Sequence, residues 1–357
     1  MKKAAYMYKP LALLAACVML LPTFGGQAAT AGNTNNTNQT IVYRVHLDGK
    51  KQEKVAVLPA MHDAFISPGG RFVYTVNRSF RKDTLNRPYL YDTKTQTLTE
   101  LPGFAKWLPK QDELLLVEQE SLYRYNPATK KKVLLAQGSK SDPITDYAVS
   151  PDERYLAFVQ TEVSLNHPEL ASRLFLVDMQ SLKRKVNDRY AASQTDGFQK
   201  VPLVSWSPTS KKVFYRVGAG LKELDLPTGR KYTYAVTAFP SYSSDMKWRF
   251  ERKDGLGYMT DLLTGKSAPT GELPQSIERS LTEVYWSPVG HSYVAKKFYH
   301  SSNAQDSYEQ LTVRTGTKAF VYPLDGSLYL SDSDNIRFIG WARDGQSFYV
   351  ADLDSVH

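Results

Sequence analysis

The chain has 357 residues, 42% hydrophobic and 23% charged, with a formal net charge of +9. That composition excludes a disordered chain, and 23 Tyr and 15 Phe favour strands over helices. No run of Lys or Arg is long enough to make a basic stripe, so no nucleic-acid partner is expected.

In chain order, Lys2, Lys3 and Lys9 precede the apolar run PLALLAACVMLLPTF (10–24), and Ala29-Thr30-Ala31 is an A-x-A cleavage site. Together they read as a signal peptide over 1–31 and predict a secreted or cell-envelope protein. The apolar run is shorter than the roughly 20 residues of a spanning helix, so no stable membrane span is expected after cleavage. Leu14-Ala15-Ala16-Cys17 resembles a lipobox, which makes lipidation at Cys17, or a retained signal anchor, the alternative. Val18 to Leu21 stay apolar beyond it, against that alternative. Cys17 is the single cysteine, so cleavage leaves no disulfide, and stability must come from packing. Loss of the three signal lysines lowers the net charge to +6. Residues 32–40 (GNTNNTNQT) read as a flexible polar linker.

After residue 40 one phrase recurs. It is an apolar or aromatic pair, Ser-Pro, a turn, and an alternating aromatic strand. It runs Phe65-Ile66-Ser67-Pro68-Gly69-Gly70-Arg71-Phe72-Val73-Tyr74, and again Val149-Ser150-Pro151-Asp152-Glu153-Arg154-Tyr155-Leu156-Ala157-Phe158. Trp206-Ser207-Pro208, Trp286-Ser287-Pro288 and Trp341-Ala342-Arg343-Asp344-Gly345 open further copies. Trp107-Leu108-Pro109 and Trp248, before a turn at Asp254-Gly255, open degenerate ones. A second phrase, strand, Asp/Asn-Thr-Gly turn, strand, follows most copies, as in Leu224-Asp225-Leu226-Pro227-Thr228-Gly229. Each pair of phrases predicts four short strands joined by tight turns. Four strands per roughly 40 residues predict an all-β fold, a β-propeller of about seven four-stranded blades over 41–357. The first strands, Ile41 to His46 and Val55 to Leu58, lack inner partners, and Trp341 to Ala351 lacks outer ones. The two ends are therefore expected to share one blade, which removes an open edge.

Ser150-Pro151-Asp152-Glu153-Arg154-Tyr155-Leu156-Ala157-Phe158 is similar to the SPDG-type repeat of TolB-like propellers, a WD40-like repeat family. The resemblance spans 41–357 and implies a propeller. It leaves function open, because the family mixes periplasmic scaffolds and protease gating domains. Several copies lack the Asp after Pro.

Catalytic motifs are scarce. No G-x-S-x-G elbow occurs. The histidines His46, His62, His167, His291, His300 and His357 form no H-x-H or H-x-x-H pair. Ser331-Asp332-Ser333-Asp334-Asn335 lacks the glycine and glutamate of a calcium loop and reads as a solvated turn. No catalytic residue, cofactor or metal is therefore expected, and the repeated Trp residues are assigned to packing between blades.

In a four-stranded meander, the connections after strands one and three share one face, and those after strands two and four share the other. The SPDG-type and Thr-Gly turns fall on the first face. The long insertions 77–88, 161–172, 189–200, 270–281 and 300–308 fall on the second. Functional residues concentrate in such loops. Arg78, Arg81, Lys82 and Arg87 make the first insertion basic, His167 lies in the next, Tyr190 and Phe198 follow, and His300 opens the last. The expectation is a monomeric, non-catalytic scaffold binding a protein or an anionic cell-wall polymer through this face. The alternative is an enzyme with an axial site acting on glycans or small molecules.

Overall fold

A computed structural model describes residues 39–59, 63–77, 87–162, 171–191, 203–218, 220–235, 238–253, 256–270, 279–300, 308–315, 319–322, 329–330 and 336–354. Seven antiparallel sheets form the blades of a β-propeller. Six follow chain order: 63–100, 105–136, 144–191, 204–234, 241–269 and 279–322. The seventh blade joins the ends as expected. Its inner strands are Ile336–Trp341 and Ser347–Asp354, and its outer strands are Gln39–His46 and Gln52–Pro59. The closing pair runs in unbroken register from Gln39↔Asp354 to His46↔Ser347. The strand thus begins inside the stretch read as linker, and Thr40 is buried in it. The sixth blade carries a fifth strand, Tyr329–Leu330, beside Tyr308–Arg314, for which the repeat phrase holds no cue. Among the described residues no helix is long and apolar enough to cross a membrane.

The turn after the first strand has one geometry in four blades. In the first, third, fourth and fifth blades the backbone N–H of Ser67, Ser150, Ser207 and Ser243 donates to the carbonyl five residues on, at 2.8 to 2.9 Å. The same four Ser Oγ atoms accept the backbone N–H of that residue, at 2.9 to 3.2 Å. The hydroxyl thus satisfies a turn amide that strand pairing cannot reach. The residue three after the serine is left-handed: Gly70 (φ 77), Glu153 (63), Ser210 (59), Met246 (59) and Gly290 (71). Glycine adopts that conformation without steric cost.

This geometry relocates the degenerate copy in the fifth blade. Its turn is Ser243 to Trp248, so Trp248 opens the second strand, Trp248–Lys253, rather than sitting on the first. Asp254 and Gly255 lie outside the described residues.

The other tryptophans lock neighbouring blades through a shared register. Each ends an innermost strand and donates its indole N–H backwards to the innermost strand of the preceding blade. Trp107 Nε1 donates to Phe65 O at 2.8 Å, Trp206 to Ala148 O at 2.9 Å, and Trp341 to Tyr285 O at 3.2 Å. Trp286 donates to Ser241 Oγ at 2.9 Å. Each acceptor lies two residues before its own blade's turn serine or the residue in that place. A half-buried indole finds its partner this way while its ring packs against the cluster between sheets. The core is correspondingly divided into clusters between blades. One gathers Leu156, Phe158 and Phe175 with Leu115 and Leu122, and another Val159 and Leu174 with Val213 and Tyr215.

Candidate functional site: the axial rim and the two faces

The face holding the SPDG-type turns is tied blade to blade. Gly69 N donates to Asp112 Oδ1 at 2.6 Å, Lys110 N to Glu153 Oε1 at 2.6 Å, and Asp152 N to Ser210 Oγ at 3.0 Å. Asp245 N donates to Gly290 O at 3.2 Å, Ser287 Oγ to Gly345 O at 3.3 Å, and Arg343 N to Pro68 O at 3.0 Å. These contacts join six of the seven neighbouring blade pairs into a collar. His291 Nδ1 adds a 2.9 Å contact to Asp245 Oδ2. Partial desolvation opposes ionisation of Asp152 and Asp245, but turn hydroxyls and amides, with His291 for Asp245, donate to them and hold both carboxyls below the usual range.

Connections at the opposite face leave from the ends of second and fourth strands. Arg78, Arg81, Lys82, His167, Phe198 and residues 331–335 fall outside the described residues. Arg87 begins the strand Arg87–Asp92 opposite Asn77, and His300 ends Tyr293–His300 opposite Arg279. Tyr190 is placed differently from a loop aromatic. It lies on the strand Arg184–Ala191, half-buried, with its ring centroid 5.4 Å from that of Tyr215 in the cluster between the third and fourth blades. Burial, and then the nearby charges of Asp188 and Asp146, push its phenol pKa well up. Its neighbour Asp188 receives Tyr215 Oη at 2.6 Å, Lys231 Nζ at 2.6 Å and Lys222 Nζ at 3.2 Å. Burial opposes ionisation of Asp188, but the three donors together hold its pKa below the usual carboxylate range.

The axis presents a constellation that the sequence reading did not single out. Lys106 lies on the innermost strand Ala105–Trp107 and Asp146 on Ile144–Val149. Lys106 Nζ donates to Asp146 Oδ1 at 2.7 Å and to Tyr147 O at 3.0 Å, and lies 4.5 Å from the Tyr147 ring centroid. Asp146 Oδ2 accepts Leu203 N at 2.7 Å and Val204 N at 3.1 Å, at the entry to the next blade. One carboxylate therefore links three blades. Its side chain is 12% exposed, while that of Lys106 is 52% exposed. Phe65, 50% exposed, stands on the preceding innermost strand, Asp63–Ile66. The group offers a half-exposed Lys side chain whose ammonium is already paired with a carboxylate. A lone Lys and a lone Asp on alternating strands carry no motif, which is why spacing could not reveal them.

Lys297, 7% exposed, is another polar group without a sequence cue. Its Nζ donates to Thr270 O at 3.0 Å, and burial, with Arg314 nearby, pushes its pKa down. Among the described residues no group of three or more His, Cys, Asp or Glu gathers to hold a metal.

The architecture defines a seven-bladed β-propeller. No family model matches the chain, and no curated protein matches it. Among solved structures it is similar to dipeptidyl peptidase 4 from Porphyromonas gingivalis, with TM-score 0.50, 11% identity, and coverage of 80% of this chain and 60% of that one. It is also similar to a protein described as TolB from Agrobacterium tumefaciens (TM-score 0.41, 14% identity, 89% of this chain and 99% of that one). A third is an oligogalacturonate lyase in complex with manganese (TM-score 0.47, 12% identity, 88% and 91%). At these identities the first likeness supports the fold and none of them carries function.

Proposed function

We propose that this chain is an exported, non-catalytic propeller scaffold of the TolB-like kind that binds a protein or an anionic envelope polymer through its long-loop face. The observation that carries this reading is the inequality of the two faces. One is tied into a collar by turn-to-turn hydrogen bonds. The other releases every long connection, and loops on a rigid frame are where recognition is built. The first long connection brings Arg78, Arg81 and Lys82, and Arg87 opens the strand that follows it. Exposed cations steer encounter with an acidic partner and are screened over about 8 Å at physiological salt. The test is capture of native envelope material by the purified domain across a salt series, with R78Q/R81Q/K82Q/R87Q beside the parent. The variant should fold normally and capture less at low salt. Equal capture at every salt concentration overturns the role of the basic connection.

A second reading, an axial enzyme acting on glycans or small molecules, is favoured by the half-exposed Lys106 side chain paired with Asp146. Turnover of an anionic oligosaccharide that is lost in Lys106→Gln without loss of folding would establish it in place of the scaffold.

A further inference from the structure

We propose a second binding surface on the collar face: a ring of cations carried by the turns between the third and fourth strands, fitted to a linear polyanion. It stands independently of the long-loop reading. In six blades this turn is described, and all six share one design. An Asp or Asn at the end of the third strand, or two residues beyond it for Asp48, accepts a backbone N–H of the turn. Asp48 accepts Lys50 N at 2.9 Å, Asp92 accepts Lys94 N at 2.9 Å, and Asn126 accepts Thr129 N at 3.0 Å. Asp178 accepts Ser181 N, Asp225 accepts Thr228 N, and Asp261 accepts Leu263 N, at 2.8, 3.0 and 2.8 Å. These bonds hold the Asp48, Asp178 and Asp261 carboxyls below the usual range, and a side-chain donor leads for Asp92 (Arg71) and Asp225 (Thr228). Apart from the exposed Asp48, these acids are partly covered by their own turns.

Each of these turns also carries a cation, and all six are exposed: Lys50, Lys94, Lys130, Lys183, Arg230 and Lys266. Closing the turn explains the Asp, Thr and Gly residues. It makes no demand for a cation, yet no described blade omits one. The turn acids that remain exposed on this face are Asp48, Asp152 and Asp344.

A single exposed cation contributes little. A chain of regularly spaced anions that engages several in succession gains from each further contact at high effective concentration, and from counterion release. The cations follow the rim of a ring rather than a compact patch. A flexible polymer can track a rim, whereas a rigid acidic protein would meet only an arc of it.

The probe is inorganic polyphosphate of about 100 units, with dextran sulfate as a second arm, titrated against the full mature chain over a salt series. The test variant is K50Q/K94Q/K130Q/K183Q/R230Q/K266Q. The control K54Q/K140Q/K185Q/R189Q/R252Q/K253Q removes the same charge from exposed positions off the ring. The ring variant should lose affinity at least tenfold and show a shallower dependence of log K on log salt, with an unchanged melting transition, while the control keeps most of its binding. Binding of both polymers identifies regular anionic charge as the ligand chemistry, and binding of polyphosphate alone narrows it to phosphate. Equal losses in the two variants would mean that net charge alone acts, and would overturn the ring. So would absence of binding by the parent. The R78Q/R81Q/K82Q/R87Q variant reads the long-loop face separately, so either surface can fail without the other.

Discussion

Deleting residues 39–59 removes both outer strands of the seventh blade and opens the ring. The lost interface is specific. Val42, Val45 and Leu58 are 0%, 0% and 1% exposed, and they pack on both sides of the closing blade. At about 1.5–3 kcal/mol per fully buried aliphatic side chain, these three contribute roughly 5–9 kcal/mol. A folded domain has only about 5–15 kcal/mol in total. The deletion also unpairs the strand Ser347–Asp354 along its outer edge, and an open edge recruits other chains. The truncated protein should therefore lose its cooperative transition by calorimetry or circular dichroism, and should associate in size-exclusion chromatography as concentration rises. Leu58→Ala separates packing from closure. It keeps every strand and should cost about 2–5 kcal/mol, with the protein still monomeric. An unchanged midpoint in the deletion variant would refute the argument that the terminal strands clasp the ring.

Trp206→Phe keeps most of the ring volume but leaves Ala148 O without the indole donor that reaches it at 2.9 Å; a loss of about 1–3 kcal/mol is expected from chemical denaturation, and a neutral result would show that the ring alone holds that junction. Acid should destabilise the fold through its paired carboxylates. The pKa values of Asp92, Asp152, Asp188 and Asp245 are depressed in the folded state. Their contribution is therefore complete above the unfolded value of about 3.9 and is lost as pH falls through the lower folded values. The melting temperature should hold from pH 7 to about 5 and fall below 4. Asp188→Asn should lower the plateau and shrink the acid-dependent drop, and an identical pH profile would show that the Lys222, Lys231 and Tyr215 contacts are not energetically coupled to folding.

Most of the fold was legible because propeller blades are built from local pieces. Ser150-Pro151-Asp152 fixes a turn within a few residues, and the apolar run Tyr155 to Phe158 fixes a strand beside it. The closing blade was legible for a different reason, since each end supplied the half that the other lacked. Trp248 was misplaced because a Trp after the turn and a Trp before it look alike when the Ser-Pro pair is replaced by Ser243-Ser244. The hydrogen bonds of Ser243 Oγ settle which side of the turn it occupies. The axial group was illegible in principle. Asp146 meets Lys106 from 40 residues upstream and the amides of Leu203 and Val204 from 57 and 58 residues downstream. Only the radial arrangement brings these three blades together.

That arrangement also explains why one sequence makes two unlike faces. Strand parity sends every connection after strands one and three to the same side, so whatever turn chemistry the repeat carries is multiplied around the ring. The Ser-Pro turn is short because its serine closes a six-residue loop on itself. Shortness brings the turns of neighbouring blades within hydrogen-bond reach, as Gly69 with Asp112 and Asp152 with Ser210 show. A lengthened turn would break that contact with both neighbours, so insertions are costly on the collar face. The connections after strands two and four carry no such constraint, and additional loop length there costs only slowly growing closure entropy. The division of labour between a tied collar and a face of long connections therefore follows from the spacing of serine and its acceptor, before any ligand is considered.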